Sequence, residues 1–338
     1  MARNEFFTKM QAGLELTYGA GGAATAFLLG QAPRVTTDTK LEMVTEQMDS
    51  RQSRRRAIPY QRLYTNTRSL ANAGYQDLIF PFETGLKHVT ASEDTPGQGD
   101  YEWNWSPGMT PAAGANSPKS FVAQIGDDEQ AWIVKGCHTD RISLKGSIAQ
   151  DGGSAAVSLE QSFFGQYIAE GSFTSSLAPG NSQPLNAKLA RLYWDTAYGS
   201  IGGTEVTDGL IEFTFEMMTG MHPKFRGGAN NYPSAAAEGA IDWTLALKLD
   251  TALRDEMFDA HRNGDMGYFS LAIDSGVAIG TGQNHILTIN MAAFLEDVTP
   301  IDGADRSDNL SSVALTGTYD KANSFGLYVD LFTDRNSI

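Results

Sequence analysis

The chain has 338 residues, with 25 Lys and Arg against 40 Asp and Glu, so its formal net charge is −15. No stretch approaches the roughly 20 apolar residues that span a bilayer. The single cysteine, Cys137, excludes an intrachain disulfide and a multi-cysteine metal site, and the acidic balance argues against binding phosphate backbones through Lys and Arg. The polar start, Met1 to Lys9, is unlike a signal peptide, so we expect synthesis in a cytoplasm without general secretion.

Period-2 patterns and turn residues predict a mainly β chain. Residues 1–35 are mixed and predict an N-terminal arm. A short helix, interrupted by Pro81, is predicted near Asp77 to Lys87. The Pro- and Ser-rich segment 173–188 predicts a linker between a first β domain at 36–172 and a second at 189–338.

The second half begins with the strongest strand signals, which alternate over 211–217 and 241–249. A helix is predicted from Thr251 to about Arg262, ended by Asn263-Gly264. Further alternating runs follow at 269–273, 287–291 and 313–319. The clusters of Gly, Asn and Asp between these runs favour antiparallel sheets with one solvated face.

The two halves resemble each other. Residues 41–48 align without gaps to residues 211–218, and both segments continue into a basic, turn-rich loop. Residues 138–144 resemble 285–291, and 157–163 resemble 313–319. The shared order predicts two copies of one β domain with a single helix each; chance likeness among amphipathic strands is the alternative.

No catalytic or cofactor signature is present in the sequence. The five histidines lack the spacing of a helical zinc site, and no nucleophile elbow or phosphate-binding loop occurs. Cys137 and His138 are expected on opposite faces of a strand, with Cys137 a buried structural residue. We expect His138 and His285 in strands and His222 in a loop. The acidic loops at 127–129 and 302–308 do not match a calcium loop.

Two clusters admit more than one interpretation. Trp103 and Trp105 could stack on a sugar, although a core or interface role fits them better. The arginine-rich segment is more consistent with a loop that reaches an acidic surface of a neighbouring subunit than with a nucleic-acid footprint; a solvated loop is the alternative. It and the corresponding loop of the second half contribute six candidate contact residues: Arg51, Arg54, Arg55, Arg56, Lys224 and Arg226.

Four segments carry a resemblance to a known family. They are Asp127–Gly146 with its Trp, Gly-Cys and strand pattern, Leu210–Gly228 with Met-His-Pro-Lys-Phe, Ala237–Thr251 before the second helix, and Val313–Tyr319. Through these four segments, the chain resembles the two-domain major tail tube proteins of long-tailed bacteriophages, over roughly residues 35–320. None of these segments is a catalytic signature.

The resemblance implies two tandem β-sandwich or barrel domains of tail-tube type, each with one flanking α-helix. It implies a structural virion protein, not an enzyme, without cofactors, assembled in the host cytoplasm and located in the phage tail. Six such domains form a ring in this family, so three chains are expected per ring, in a homotrimer with pseudo-sixfold symmetry. The partners are further copies, the tape measure, the tail tip initiator and the terminator, with no membrane.

DNA would pass through the lumen without specific binding. A conduit must not hold phosphates, and acidic walls avoid this. Four acids are expected on equivalent polar faces of the two halves and are the candidate lumen-facing residues: Glu42, Glu46, Glu212 and Glu216. Subunit interfaces or the outer surface are alternative positions for them. The alternatives for the whole chain are another virion component, such as a terminator, baseplate or decoration protein, or a carbohydrate-binding β-sandwich; a secreted adhesin disagrees with the polar start.

Overall fold

The computed structural model describes residues 8–32, 38–46, 54–110, 113–148, 155–207, 209–227, 231–250, 255–299 and 310–338. The first half contains β1 (Lys9–Leu14), β2 (Ala26–Leu28), β3 (Asp38–Glu46), β4 (Arg54–Leu70), α1 (Tyr75–Gly85), β5 (Ser92–Glu93), β6 (Tyr101–Trp105), β7 (Phe121–Gly126), β8 (Ala131–Ser147), β9 (Ser158–Gly165) and β10 (Tyr167–Gly171). The second half contains β11 (Ala190–Asp195), β12 (Leu210–Met218), β13 (His222–Lys224), β14 (Ala235–Ala237), β15 (Asp242–Leu249), α2 (Asp255–Asn263), β16 (Met266–Ala278), β17 (Asn284–Thr299), β18 (Ser311–Gly317) and β19 (Leu327–Thr333).

The predicted mainly β fold is confirmed, and the alternation of the sequence explains it. In β15, every second residue from Trp243 to Leu249 is buried and the residues between them are exposed. In β12, Phe213, Phe215 and Met217 are buried in the same way. Because side chains alternate across a strand, one face of each strand enters the core and the other remains open.

An antiparallel sheet of eight strands runs through both halves. Its order is β3-β4-β9-β8-β12-β15-β18-β17. A second layer is formed by β1, β7, β10 and the N-terminal part of β8 in the first half, and by β11, β16, β19 and the N-terminal part of β17 in the second. The halves also meet where β6 pairs with β19.

Strand pairing repeats between the halves. The first half pairs in the order β1-β7-β8-β9-β4-β3, and the second in the order β11-β16-β17-β18-β15-β12. Each long central strand has a bulge, after Thr139 in β8 and after Leu295 in β17. Helix α1 packs on β8 and helix α2 packs on β17. The pairing order therefore agrees with the repeat inferred from the sequence.

The two helices differ in how they are placed. Helix α1 is buried along nearly its whole length despite Pro81, and it begins where the Gly74 N–H donates to Asp77 Oδ2 at 3.0 Å. It starts and ends two residues before the predicted bounds. Helix α2 ends at Asn263, followed by Gly264 at φ +70°, which confirms the predicted C-terminus. Residues 251–254 lie outside the described part of the chain.

The predicted arm and linker are both attached to the body of the fold. Within residues 1–35, β1 pairs with β7 and β2 pairs with β1. In the segment 173–188, the Gln183 N–H donates to Gln76 Oε1 at 2.8 Å, and Ser182 Oγ donates to Asp77 Oδ2 at 3.1 Å. The linker therefore lies against the start of α1. The domain boundaries at 36–172 and 189–338 stay a prediction.

Candidate assembly edges and open sheet face

Strands β8 and β12 form a seam between the two halves. Their antiparallel register extends from Glu212 opposite Ser147 to Met218 opposite Arg141. Phe213 and Phe215 on the core side of β12 are fully buried. Gly146 lies opposite Phe213, where a Cβ on residue 146 would come within 2.5 Å of the phenylalanine ring. The seam is therefore closely packed on its core side.

At the two ends of the eight-stranded sheet, the outer strand edges lack such a partner within the described residues. Strand β3 is paired on one side only, by β4. In β17, residues Asp297–Thr299 pair with β18 on one side, while β16 reaches only as far as Phe294 on the other. In the pairing order, β3 takes the place next to β4 that β12 takes next to β15, although the two strands share only the register position of Asp38 and Met218. The C-terminal part of β17 corresponds to the part of β8 that pairs with β12. Within the chain, the β8–β12 contact joins the two halves once. The two edges that would form the equivalent contact lie at opposite ends of the eight-stranded sheet and are unpaired there within the described residues.

Alternate residues of this sheet point away from the core and form a surface that we call the open face. Hydroxyl-bearing side chains dominate it: Thr65, Thr67, Ser69, Ser143, Ser147, Ser158, Ser162, Thr214, Thr244, Thr299, Ser312 and Thr316. A depression of about 230 Å³ on this face is lined by residues that include Glu212, Thr214, Lys248, Asp297 and Ser312. The charged residues of the open face are fewer, and Arg141, Lys145, Glu212 and Glu216 among them lie on the two strands of the seam.

Glu212 and Glu216, two of the predicted lumen-facing acids, lie on the open face and are paired with cations. One Glu212 oxygen lies 3.3 Å from Lys145 Nζ and the other lies 3.5 Å from Lys248 Nζ. Glu216 accepts a hydrogen bond of 2.7 Å from Arg141 Nη2. Lys145 and Arg141 belong to β8, so these pairs cross the seam. The sequence alone did not indicate that the two acids would face cations.

The registers give a different correspondence between β3 and β12 from the one inferred by sequence alignment. Leu63 lies seven residues before the end of β4, and Asp242 lies seven residues before the end of β15. Leu63 pairs with Asp38, while Asp242 pairs with Met218. Asp38, the first residue of β3, thus corresponds to Met218, the last residue of β12.

Glu42 and Glu46 follow Asp38 and therefore have no counterpart within β12. The assignment of these two acids to positions equivalent to Glu212 and Glu216 is wrong, because the ungapped alignment matched similar alternation at a shifted register. Glu42 is exposed on β3, and Glu46 is the last residue of that strand. When the two halves are aligned by register, β3 begins where β12 ends and continues beyond it.

The predicted basic loops are partly strands. Arg54, Arg55 and Arg56 begin β4 and lie opposite Glu46, Thr45 and Val44 of β3. Arg51 lies outside the described residues. In the second half, His222–Lys224 forms β13 and pairs with β14, which corrects the loop assignment of His222. Lys224 and Arg226 are exposed. Both basic segments thus belong to β-hairpins, β3–β4 in the first half and β13–β14 in the second.

The aromatic cluster lies in the core and not on a surface. Trp103 and Trp105 are 3 % and 0 % exposed, and their rings stack on each other. The Trp105 indole N–H donates to Glu83 Oε1 at 3.0 Å, and the Trp103 indole N–H donates to the Arg335 carbonyl at 2.7 Å. Burial raises the pKa of Glu83. A sugar cannot stack on these two rings in this structure.

Cys137 and His138 do not form a nucleophilic pair. Cys137 is fully buried, as predicted, and burial raises the pKa of its thiol. His138 is buried beside it, its Nδ1 is 3.3 Å from the Thr84 carbonyl, and burial lowers its pKa to about 4. Both effects oppose formation of a thiolate. Among the described residues, no group of three or more His, Cys, Asp or Glu is arranged to hold a metal ion.

A family model described as "Phage tail tube protein" matches residues 8–318. The chain belongs to the phage tail tube protein family. A search of curated proteins found no match. The matched region covers both halves of the repeated sheet, the seam and the two open edges.

Membership of the tail tube family identifies the chain as a structural component of the phage tail. It also accounts for a site that consists of strand edges and a hydroxyl-rich sheet face, because tube subunits act through contacts with one another and with other tail proteins. No helix in the described ranges is long and apolar enough to cross a membrane.

Proposed function

We propose that this tail tube protein polymerises into stacked homotrimeric rings with pseudo-sixfold symmetry, and that the resulting tube conducts DNA into the host. Assembly would take place in the bacterial cytoplasm, with the tail tip initiator, tape measure and terminator as partners. The observation that carries the proposal is the β8–β12 seam, which joins two copies of one sheet inside a single chain.

The seam supplies a template for the contact between chains. Edge strands with free N–H and C=O groups are sites for pairing with another chain. In the ring, the start of β3 at Asp38 of one copy would meet the C-terminal part of β17 of the next copy at Asp297, as the end of β12 at Met218 meets β8 at Arg141 within the chain. Closure of the sheet removes both free edges. Three chains of eight strands each would then form a 24-stranded barrel, with the open face towards the DNA.

The basic hairpins are suited to contacts between stacked rings. The arginines at the start of β4 and the exposed Lys224 and Arg226 lie on hairpins, while the chain as a whole carries a net charge of −15. Basic segments of one ring would therefore meet acidic surfaces of the next, which favours correct orientation and fast association.

A cysteine pair tests the proposed edge contact. Within the seam, Met218 lies opposite Arg141, the first paired residue after the bulge of β8. Asp38 corresponds to Met218, and Asp297 is the first paired residue after the bulge of β17. We therefore expect Asp38 of one copy to lie opposite Asp297 of another. Their replacement by cysteine also removes two carboxylates that would otherwise face each other.

The variant carrying Asp38→Cys and Asp297→Cys should form covalent dimers and trimers upon oxidation, with the trimer as the largest species of a single ring. Buried Cys137 does not compete. The matched control carries Asp38→Cys with Glu129→Cys, which lies in the exposed turn between β7 and β8, and should remain monomeric on a denaturing gel. A covalent ladder that reaches six chains contradicts the trimer, and absence of specific linkage in assembled protein contradicts the edge contact.

A further inference from the structure

The open face carries a compact set of cations along the seam. In β9, β12, β15, β18 and residues 141–147 of β8, all of which the structure describes, the Lys and Arg residues are Arg141, Lys145 and Lys248. All three point away from the core, on a surface otherwise rich in Ser and Thr. Such a row of cations beside hydroxyl donors is suited to holding the phosphates of a nucleic acid.

Two carboxylates hold these three cations. Glu212 lies between Lys145 and Lys248, with one oxygen for each ammonium, at 3.3 and 3.5 Å. Glu216 holds Arg141 at 2.7 Å. The register explains this geometry, because Lys248 lies directly opposite Glu212, while Lys145 and Arg141 lie diagonally across from the two acids. Glu212 therefore reaches the strands on both sides of β12, whereas Glu216 reaches across the seam to β8.

The contribution of these ion pairs to folding stability is too small to explain why Glu212 and Glu216 lie beside the three cations. The cation side chains are 37–59 % exposed and their acidic partners 26–43 % exposed. Exposed ion pairs of this kind contribute little to folding. The open face also carries Glu160, Asp242 and Asp297, so acids outnumber cations along these strands.

We propose that Glu212 and Glu216 mask Arg141, Lys145 and Lys248, and thereby keep the open face from retaining duplex DNA. Each cation that is held by a carboxylate has less tendency to displace a counterion from a phosphate, so DNA passes without being bound. The inference rests on the proposed conduit function, and it gives Glu212 and Glu216 the specific role of preventing DNA from binding to the open face.

The test compares binding of a fluorescent linear DNA duplex by full-length protein, measured by anisotropy as a function of salt concentration. Wild-type protein should show no measurable binding. The Glu212→Gln/Glu216→Gln variant should bind duplex at low salt, with a log–log salt slope of up to about −2.7 if all three cations meet phosphates. Addition of Arg141→Gln, Lys145→Gln and Lys248→Gln to this variant should abolish the binding.

The matched control is Glu129→Gln/Glu170→Gln, which changes the net charge equally at exposed positions away from the seam. The masking role would be overturned if this control bound DNA as strongly as Glu212→Gln/Glu216→Gln. It would also be overturned if Glu212→Gln/Glu216→Gln bound no DNA while circular dichroism showed an unchanged fold. Electron microscopy of the same samples separates the two proposals. If the Glu212→Gln/Glu216→Gln variant forms tubes but does not retain DNA, the masking role is rejected and the proposed conduit is not. If the variant retains DNA but forms no tubes, the masking role is supported and the proposed tube assembly is rejected.

Discussion

Gly146 on β8 lies directly opposite Phe213 on β12, and the phenylalanine ring occupies the space that a side chain on residue 146 would need. The distance from an added Cβ to the ring would be 2.5 Å. Phe213 is buried in a core cluster that includes Leu144 of the first half and Leu245 of the second. The two halves are therefore joined by both strand pairing and a shared core.

Gly146→Ala should destabilise the protein by about 1–3 kcal/mol, because overpacking a closely packed site forces the ring or the strand to shift. The free energy of unfolding in urea measures the loss. We expect a single transition with a lower midpoint, since the seam residues contribute to one shared core.

Two further variants establish that the loss comes from the contact with Phe213. Gly227→Ala is the matched control, because nothing lies within 4 Å of the added Cβ and its φ is not in the left-handed region; its midpoint should hardly change. Adding Phe213→Leu to Gly146→Ala should recover part of the loss. A Gly146→Ala variant as stable as Gly227→Ala would contradict the packing described for the seam.

Asp330 on β19 gives a prediction for pH dependence. Burial and the nearby Glu102 carboxylate raise the pKa of Asp330 to about 7, from 3.8. In this range the folded state binds more protons than the unfolded state, so stability falls as pH rises from about 4 to about 7. Asp330→Asn should remove this fall and stabilise the protein by a few kcal/mol at pH 8.

Chemical unfolding at pH 5 and pH 8 checks the Asp330 prediction. The matched control is Asp259→Asn on the exposed side of α2, where the Asp259–Arg262 distance is 3.9 Å and both side chains are about two-thirds exposed. That substitution should have a small effect at both pH values. If Asp330→Asn gives the same change in stability at pH 5 as at pH 8, the raised pKa is wrong.

Trp105→Ala separates the tail tube role from carbohydrate binding. Since Trp105 is fully buried and donates to buried Glu83, its truncation should cost about 3–5 kcal/mol of folding stability. Thermal unfolding measures this cost. A sugar-binding platform would instead show saturable glycan binding in the wild type that Trp105→Ala abolishes without loss of stability.

Reversal of Arg54, Arg55 and Arg56 to Glu should leave folding intact and abolish tube growth, because these residues lie on the β3–β4 hairpin that is proposed to reach the next ring. Negative-stain microscopy and circular dichroism report the two properties. The matched control reverses three exposed cations elsewhere, Lys188, Arg262 and Lys321, with the same change in charge. Normal tubes from the Arg54–Arg56 variant would reject the inter-ring role.

The fold class was predictable from sequence because alternation records which face of a strand is buried. The runs over 211–217 and 241–249 became β12 and β15, and the Asn263-Gly264 signal marked the end of α2. The burial of Trp103, Trp105 and Cys137 was also expected and is confirmed.

Register and ion pairing were not predictable in the same way. Alternation repeats every two residues, so it cannot distinguish one alignment of β3 with β12 from another shifted by an even number of residues. The correct correspondence, Asp38 with Met218, depends on hydrogen-bonded neighbours distant in sequence. Likewise, the pairing of Glu212 with Lys145 depends on the seam, which no local pattern indicates.

Three copies of the chain are proposed to close into a ring, and the rings are proposed to stack as a tube. Electron microscopy of the purified protein at high concentration, with end-on views analysed for symmetry, tests this most directly. We expect hollow tubes whose rings contain three chains and look sixfold at low resolution. Rings of six full chains would contradict it.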